Sequence, residues 1–127
     1  MKVILAPKAG FCFGVKRALD ATLVRTGDGS APVYTLGPLI HNPQVVQELA
    51  DKGATAVQNL NEIDGGTVII RSHGVGPETL REAAGKRMDI VDATCPFVKK
   101  AQQLARELYE QGYQVVVVGD KEHPEVT

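Results

Sequence analysis

Two cysteines and three histidines are the side chains of this sequence best suited to metal binding or proton transfer: Cys12, Cys95, His41, His73 and His123. A thiolate is a soft metal ligand and a nucleophile, and histidine binds metals and exchanges protons near neutral pH. Each residue also has an ordinary explanation, because single cysteines are often buried apolar residues and loop histidines often satisfy local polar groups. Residue type alone therefore leaves metal binding, catalysis and burial open.

The positions of these residues follow the predicted secondary structure. Short apolar runs predict strands at 3–6, 33–36, 68–70, 90–91 and 115–118, and helix-period segments predict helices at 14–26, 43–52, 77–84 and 97–111. Strands that alternate with helices indicate an α/β fold, with a mainly parallel sheet and flanking helices. Each cysteine and histidine follows a predicted strand, and ligands bind at the carboxyl ends of strands in such sheets. We therefore expect all five side chains to converge at one rim.

The segment RSHGVGP places His73 in a glycine-rich turn directly before a predicted helix. We expect Gly74 and Gly76 to permit close approach of the backbone, and the helix start offers free amide hydrogens to an anion. Phosphate is the ligand that this chemistry favours, although an ordinary tight turn explains the same residues.

Each cysteine stands at the start of a predicted helix, a position that favours the thiolate form. Gly10 and Gly14 are expected to let the chain turn tightly around Cys12, with Phe11 and Phe13 shielding the thiol from water. Zinc would be satisfied by both cysteines and two histidines, whereas an iron-sulfur cluster needs three or four cysteines. From ligand chemistry alone, zinc is favoured.

The charge balance excludes some classes of partner. Fourteen basic and fifteen acidic side chains give a formal charge of −1, so no broad positive field is available for nucleic acid or anionic lipid. No segment approaches the roughly 20 apolar residues that span a bilayer. We therefore predict a cytoplasmic protein without nucleic-acid or membrane partners, whose two cysteines stay reduced.

Five motifs occur in an order that resembles the 4-hydroxy-3-methylbut-2-enyl diphosphate reductase family: AGFCFGV, GPLIHN, RSHGVGP, DATCP and HPEV. The resemblance implies an iron-sulfur oxidoreductase of the non-mevalonate isoprenoid pathway. Its reaction would reductively remove the hydroxyl group of an allylic diphosphate and yield isopentenyl and dimethylallyl diphosphate. A small carrier of the ferredoxin or flavodoxin type would supply the electrons.

The same resemblance implies three α/β units around a central 4Fe-4S cluster, of which this chain would be an incomplete fragment. Residues 1–94 would form the first unit, and residues 95–127 would form the opening strand-helix-strand part of a truncated second unit. Cys12 and Cys95 would be two of three cysteine ligands, with the third absent from this chain. The metal favoured by the resemblance is therefore iron in a cluster rather than zinc.

The remaining site residues are also assigned by resemblance. His41 and His73 match histidines that hold the substrate diphosphate, His123 matches a third histidine at the substrate, and Glu125 matches the acid that supplies a proton. Two alternatives stay open: a diphosphate-binding module without redox activity, and a zinc-dependent hydrolase.

Overall fold

The protein folds around one four-stranded parallel sheet. The computed structural model describes residues 1–86, 88–121, 123 and 125–126. The sheet contains β1 (Val33–Leu36), β2 (Ala54–Val57), β3 (Gly66–Ile70) and β4 (Met88–Asp92). The strand order is β2-β1-β3-β4, and every neighbouring pair is parallel. The α/β prediction is therefore confirmed.

Four α-helices accompany the sheet: α1 (Phe13–Asp28), α2 (Pro43–Asp51), α3 (Pro77–Gly85) and α4 (Pro96–Glu110), with a short 3-10 helix at Leu60–Glu62. All four predicted helices are confirmed within one or two residues at each end. Three of them carry proline in the first turn, where the missing amide hydrogen costs nothing.

The sheet is buried on both faces because alternate side chains of each strand point in opposite directions. Ile69 of β3 packs in a cluster with residues of α1 and α2, whereas its neighbours Val68 and Ile70 pack in a second cluster with Ala83 of α3. All three strand residues are fully buried. Helices α1 and α2 thus cover one face, and α3 covers the other.

Two predicted strands are wrong. Residues 3–6 and 115–118 form no strand in the structure, and all of them except the half-buried Val115 are exposed, with Leu5 at 85% and Val118 at 94%. A branched apolar run becomes a strand only when a neighbouring strand supplies hydrogen bonds and packing. In the part of the chain that the structure describes, neither run has such a neighbour.

The strand β2 was not predicted from the sequence. The β2 sequence ATAV has two alanines and buries only its first and last residues, so it lacks a strong apolar signal. In the sheet, β2 lies on one side of β1 and β3 lies on the other side. The connection after β1 runs through α2 and that after β3 through α3, on opposite faces. This reversal opens a crevice beyond the carboxyl ends of β1 and β3, where ligands bind in open parallel sheets.

Helix α4 differs from the other helices because none of its residues is buried. Its apolar side chains Phe97 and Tyr109 are both 74% exposed. Within the described ranges, no helix combines the length and apolar character needed to cross a membrane.

Candidate functional site

Three histidines meet at the crevice between the β1 and β3 ends. His41 lies in the loop after β1 and His73 in the loop after β3, and their ring centroids are 4.7 Å apart. The ring of His123 lies 6.2 Å from that of His41 and 5.8 Å from that of His73. Of the five side chains predicted to converge, the three histidines are therefore observed together, at the position where this sheet topology places a ligand.

The environment of His73 disfavours its charged form. Burial, followed by repulsion from His41, lowers the pKa of His73, and the negative charge of Glu125 only partly opposes this shift. The Nδ1 atom is buried, and among the residues that the structure describes it has no hydrogen-bond partner. Buried polar atoms are nearly always paired. An anionic ligand would both pair this ring and favour its protonation.

The turn that carries His73 is held by close contacts. Gly74 has a left-handed backbone (φ +82°), and a Cβ there would lie 3.1 Å from the side chain of Thr94. Gly76 precedes α3 in an extended conformation, with open space around it. The amide of Cys95 donates to the carbonyl of Ser72 at 2.8 Å, so the histidine turn and the Cys95 loop are directly joined.

The two cysteines stand at the starts of α1 and α4. Cys12 and Cys95 are the residues preceding these helices, neither side chain caps its helix, and both thiols are free. A Cβ on Gly14 would lie 2.6 Å from Sγ of Cys95, so the Cys95 side chain rests on the first turn of the helix that follows Cys12.

Two expectations about Cys12 are corrected. Gly10 makes the turn with φ +117°, whereas Gly14 is already helical and instead leaves space for the Cys95 sulfur. The phenylalanines do not shield the thiol, because Phe11 is 51% and Phe13 65% exposed and Cys12 is itself exposed.

A cavity joins the histidines to the Cys12 segment. Its volume is about 290 Å³. It is lined by Phe11, Val15, Ile40, His41, Asn42, Ser72 and His73. The cavity thus extends from the histidine rings to the residue that precedes Cys12. A small anion with an attached organic group would fit this arrangement.

The described residues do not form a complete metal site, since no group of three or more histidine, cysteine or acidic side chains is arranged to hold an ion. A zinc site built from Cys12, Cys95 and two histidines is therefore not formed in this structure.

Glu125 lies at the edge of the histidine cluster. Its backbone amide donates to Nδ1 of His123 at 3.3 Å, and its charge acts on His73. The side chain is exposed and lines a wide groove between α3 and α4 together with Arg71. The structure thus brings Glu125 next to His123 through the backbone.

We predict that Gly14→Ala will lower stability and displace Cys95. The added methyl group must move the Cys95 sulfur, and overpacking of this kind costs about 1–3 kcal/mol. Gly27→Ala is the matched control, because Gly27 is in the same helix with open space around it, where alanine should stabilise by about 0.5–1 kcal/mol. Urea unfolding of both variants makes the comparison. Equal stabilisation by the two substitutions would show that the Gly14 contact is unimportant.

The chain is similar to known proteins in both sequence and structure. A family model described as LytB protein matches residues 3–127. A protein of Geotalea daltonii named 4-hydroxy-3-methylbut-2-enyl diphosphate reductase is 56% identical over 126 residues, or 99% of this chain. A protein of the same name from Geobacter sulfurreducens is 52% identical over 126 residues. The chain spans only 44% of the length of each relative.

Solved structures agree with these relatives. A structure of the E-1-hydroxy-2-methyl-but-2-enyl-4-diphosphate reductase from Plasmodium falciparum superposes with a TM-score of 0.89 at 31% identity, covering 94% of this chain and 38% of that one. A structure described as (E)-4-hydroxy-3-methyl-but-2-enyl diphosphate reductase superposes with a TM-score of 0.86 at 46% identity, covering 98% of this chain and 44% of that one.

Proposed function

This chain belongs to the LytB protein family, and we propose that it is the amino-terminal portion of a 4-hydroxy-3-methylbut-2-enyl diphosphate reductase. The enzyme would reductively remove the hydroxyl group of this diphosphate and release isopentenyl and dimethylallyl diphosphate. One observation of the structure carries the proposal: a single cavity connects His41 and His73 to the segment that bears Cys12. A diphosphate at the histidines would direct the organic end of the substrate toward the cysteine side.

The three histidines would bind the diphosphate. Their rings lie within 6.2 Å of one another, so several ring nitrogens can donate to one anionic group. The unpaired buried Nδ1 of His73 supports this role, since a ligand would supply the missing partner. His123, whose Nδ1 accepts from the Glu125 amide, would contribute its other nitrogen to the substrate.

Cys12 and Cys95 would hold a 4Fe-4S cluster with a third cysteine from the remaining part of a longer protein. Two free thiols at two helix starts fit such a ligand set, because iron-sulfur clusters are held by cysteine sulfur. When bound, the cluster would supply electrons and a Lewis-acidic iron for removal of the hydroxyl group. Two electrons and two protons convert the substrate to product and water.

Glu125 would donate one of these protons. Its amide contact with His123 keeps it beside the diphosphate site, and its negative charge acts on the histidine cluster.

The rest of a longer protein would complete the fold. Residues 1–94 would form a first unit, and residues 95–127 the opening of a second, with a third unit beyond. The unburied α4 and the exposed apolar runs at 3–5 and 116–118 support this division, because all of them lack packing partners in the described part of the chain. We propose a cytoplasmic location, which suits reduced thiols, and a ferredoxin or flavodoxin as electron donor.

We predict that inorganic diphosphate binds the 127-residue chain more tightly as the pH falls from about 8 to about 6. Burial lowers the pKa of free His73, and a bound anion raises it again, so binding takes up a proton. Uptake of one proton changes affinity by at most about tenfold per pH unit. Titration calorimetry in two buffers of different ionisation enthalpy measures this uptake directly.

The His73→Gln variant is the control for that experiment, because diphosphate itself titrates in the same range and its contribution is common to both proteins. We expect the variant to bind more weakly and to take up fewer protons. Identical proton uptake by both proteins would remove His73 from the diphosphate site.

The proposed reaction is tested with anaerobically prepared full-length protein, a chemical reductant and 4-hydroxy-3-methylbut-2-enyl diphosphate. Both five-carbon diphosphate products should appear in proportion to the substrate consumed. Diphosphate binding without substrate consumption would favour the binding module instead.

A further inference from the structure

Arg17 of α1 connects the two segments that carry the cysteines. Its Nη1 donates to the carbonyl of Thr94 at 3.1 Å, and its Nη2 donates to the carbonyl of Asp92 at 3.4 Å. Asp92 ends β4, and Thr94 directly precedes Cys95. Arg17 itself lies little more than one helical turn beyond Cys12. One side chain thus spans from the Cys12 helix to the backbone that presents Cys95.

The Cys95 loop is also held by contacts that do not involve α1, including the hydrogen bond from the Cys95 amide to the carbonyl of Ser72. The Asp92 carboxylate accepts from the amide of Thr94 at 2.9 Å and pairs with Nζ of Lys99 at 2.6 Å. Burial opposes ionisation of Asp92, but the hydrogen bonds from Lys99 and Thr94 outweigh it and hold the pKa of this carboxyl below its usual value. These contacts shape the loop without tying it to α1. The tie to α1 comes from Arg17 and from the contact of Cys95 with Gly14.

We propose that Arg17 is a positioning residue that sets the separation and orientation of the Cys12 and Cys95 thiols. The inference rests on the proposed function in treating these thiols as ligands of one cluster. A planar guanidinium suits the task, because its fixed fork of donors can hold two carbonyl groups at once, whereas a lysine ammonium is a flexible point charge. The two hydrogen bonds of Arg17 go to backbone carbonyls, so its effect on the thiols is exerted through the helix and the loop.

The chain contains a matched control. Arg25 lies on the same helix, and its Nη1 is 3.5 Å from the Asp89 carboxylate near the start of β4. Arg25 therefore joins the same helix to the same strand at the end that lies away from Cys95. If Arg17 merely fastened α1 to the sheet, loss of either arginine would have similar effects on the thiols.

The test measures how fast a short bismaleimide links Cys12 to Cys95 in the 127-residue chain, which has only these two cysteines. The proteins compared are the unchanged chain, Arg17→Met, Arg17→Lys and Arg25→Met. We expect Arg17→Met to slow the linking step about tenfold, because proximity reactions are steeply sensitive to small displacements. The linking rate of Arg17→Lys should lie between those of Arg17→Met and the unchanged chain, and the linking rate of Arg25→Met should equal that of the unchanged chain. Circular dichroism and urea unfolding identify folded variants, and Arg17→Lys decides the matter if Arg17→Met does not fold.

Folded Arg17→Lys or Arg17→Met with an unchanged linking rate would overturn the proposal, and so would an equal loss in Arg25→Met. This rate is independent of any cluster. A second measurement, the iron retained against a chelator by reconstituted full-length protein, should show the same order of variants. If the linking rates follow the expected order but the unchanged full-length protein binds no iron, the positioning role of Arg17 stands and the proposed reductase function fails.

Discussion

Replacing Cys12 with serine in the full-length protein is expected to remove most of the bound iron and sulfide while leaving the fold intact. A serine hydroxyl is a harder and far less acidic ligand than a thiol, so it does not replace a thiolate on iron. The side chain of Cys12 is exposed, and exposed substitutions usually change stability by no more than about 0.5 kcal/mol. Iron and acid-labile sulfide per chain, measured beside urea unfolding, test both parts of this expectation.

The two readouts distinguish a ligand from a packed residue. If Cys12 served only as an apolar residue of the core, the serine variant would lose stability and keep its metal. Retention of a full cluster by a stable Cys12→Ser protein would contradict the ligand assignment. Cys95→Ser should lose the cluster as well, but its sulfur packs on Gly14, so some loss of stability is expected there.

The Glu125→Gln variant is expected to reduce kcat about 10²–10⁴-fold while sparing the cluster and most of the substrate affinity. Glutamine keeps the shape of the side chain but has no acidic proton to transfer. The change also removes the negative charge that acts on His73, so the pKa of His73 should fall further. Steady-state kinetics together with iron content measure the effect. Glu125→Asp, which keeps the acid on a shorter side chain, should recover part of the lost turnover.

Two results would contradict this assignment. Unchanged kcat in Glu125→Gln would remove Glu125 from proton transfer. A large rise in KM at constant kcat would instead show that the side chain contributes only to binding. Glu48→Gln, an exposed substitution on α2, serves as the control for a general effect of lost negative charge.

The convergence of the histidines could be predicted from sequence because it depends on local signals. Each predicted helix has a clear period, and His41 and His73 follow apolar runs that are strands in the structure. Parallel strands share one rim, so these signals were sufficient to expect His41 beside His73. The location of the crevice was not predictable, because it depends on β2, whose two alanines carry little strand signal.

The roles of Gly14 and Arg17 could not be predicted, because both depend on contacts between residues distant in sequence. The Arg17 hydrogen bond to Thr94 joins positions 77 residues apart, and no local pattern marks it. The strand predictions at 3–6 and 115–118 were wrong for a related reason. Their composition is typical of strands, but strand formation requires a neighbour that the described part of the chain does not supply.

The residue types alone were not sufficient to predict which metal this sequence binds. Two cysteines and three histidines favoured zinc, and only the five motifs pointed to an iron-sulfur cluster. Among the residues that the structure describes, no group of three or more histidine, cysteine or acidic side chains is arranged to hold an ion. The histidines meet one another at the crevice, and Cys95 meets the helix of Cys12.

The central claim is that Cys12 and Cys95 belong to an iron-sulfur cluster, and metal analysis of anaerobically reconstituted full-length protein tests it most directly. The measurement counts iron, acid-labile sulfide and zinc per chain. We predict about four iron and about four sulfide per chain without zinc. Stoichiometric zinc without sulfide would contradict the proposal that the protein is an iron-sulfur reductase. It would favour a zinc-dependent hydrolase in which these cysteines bind zinc.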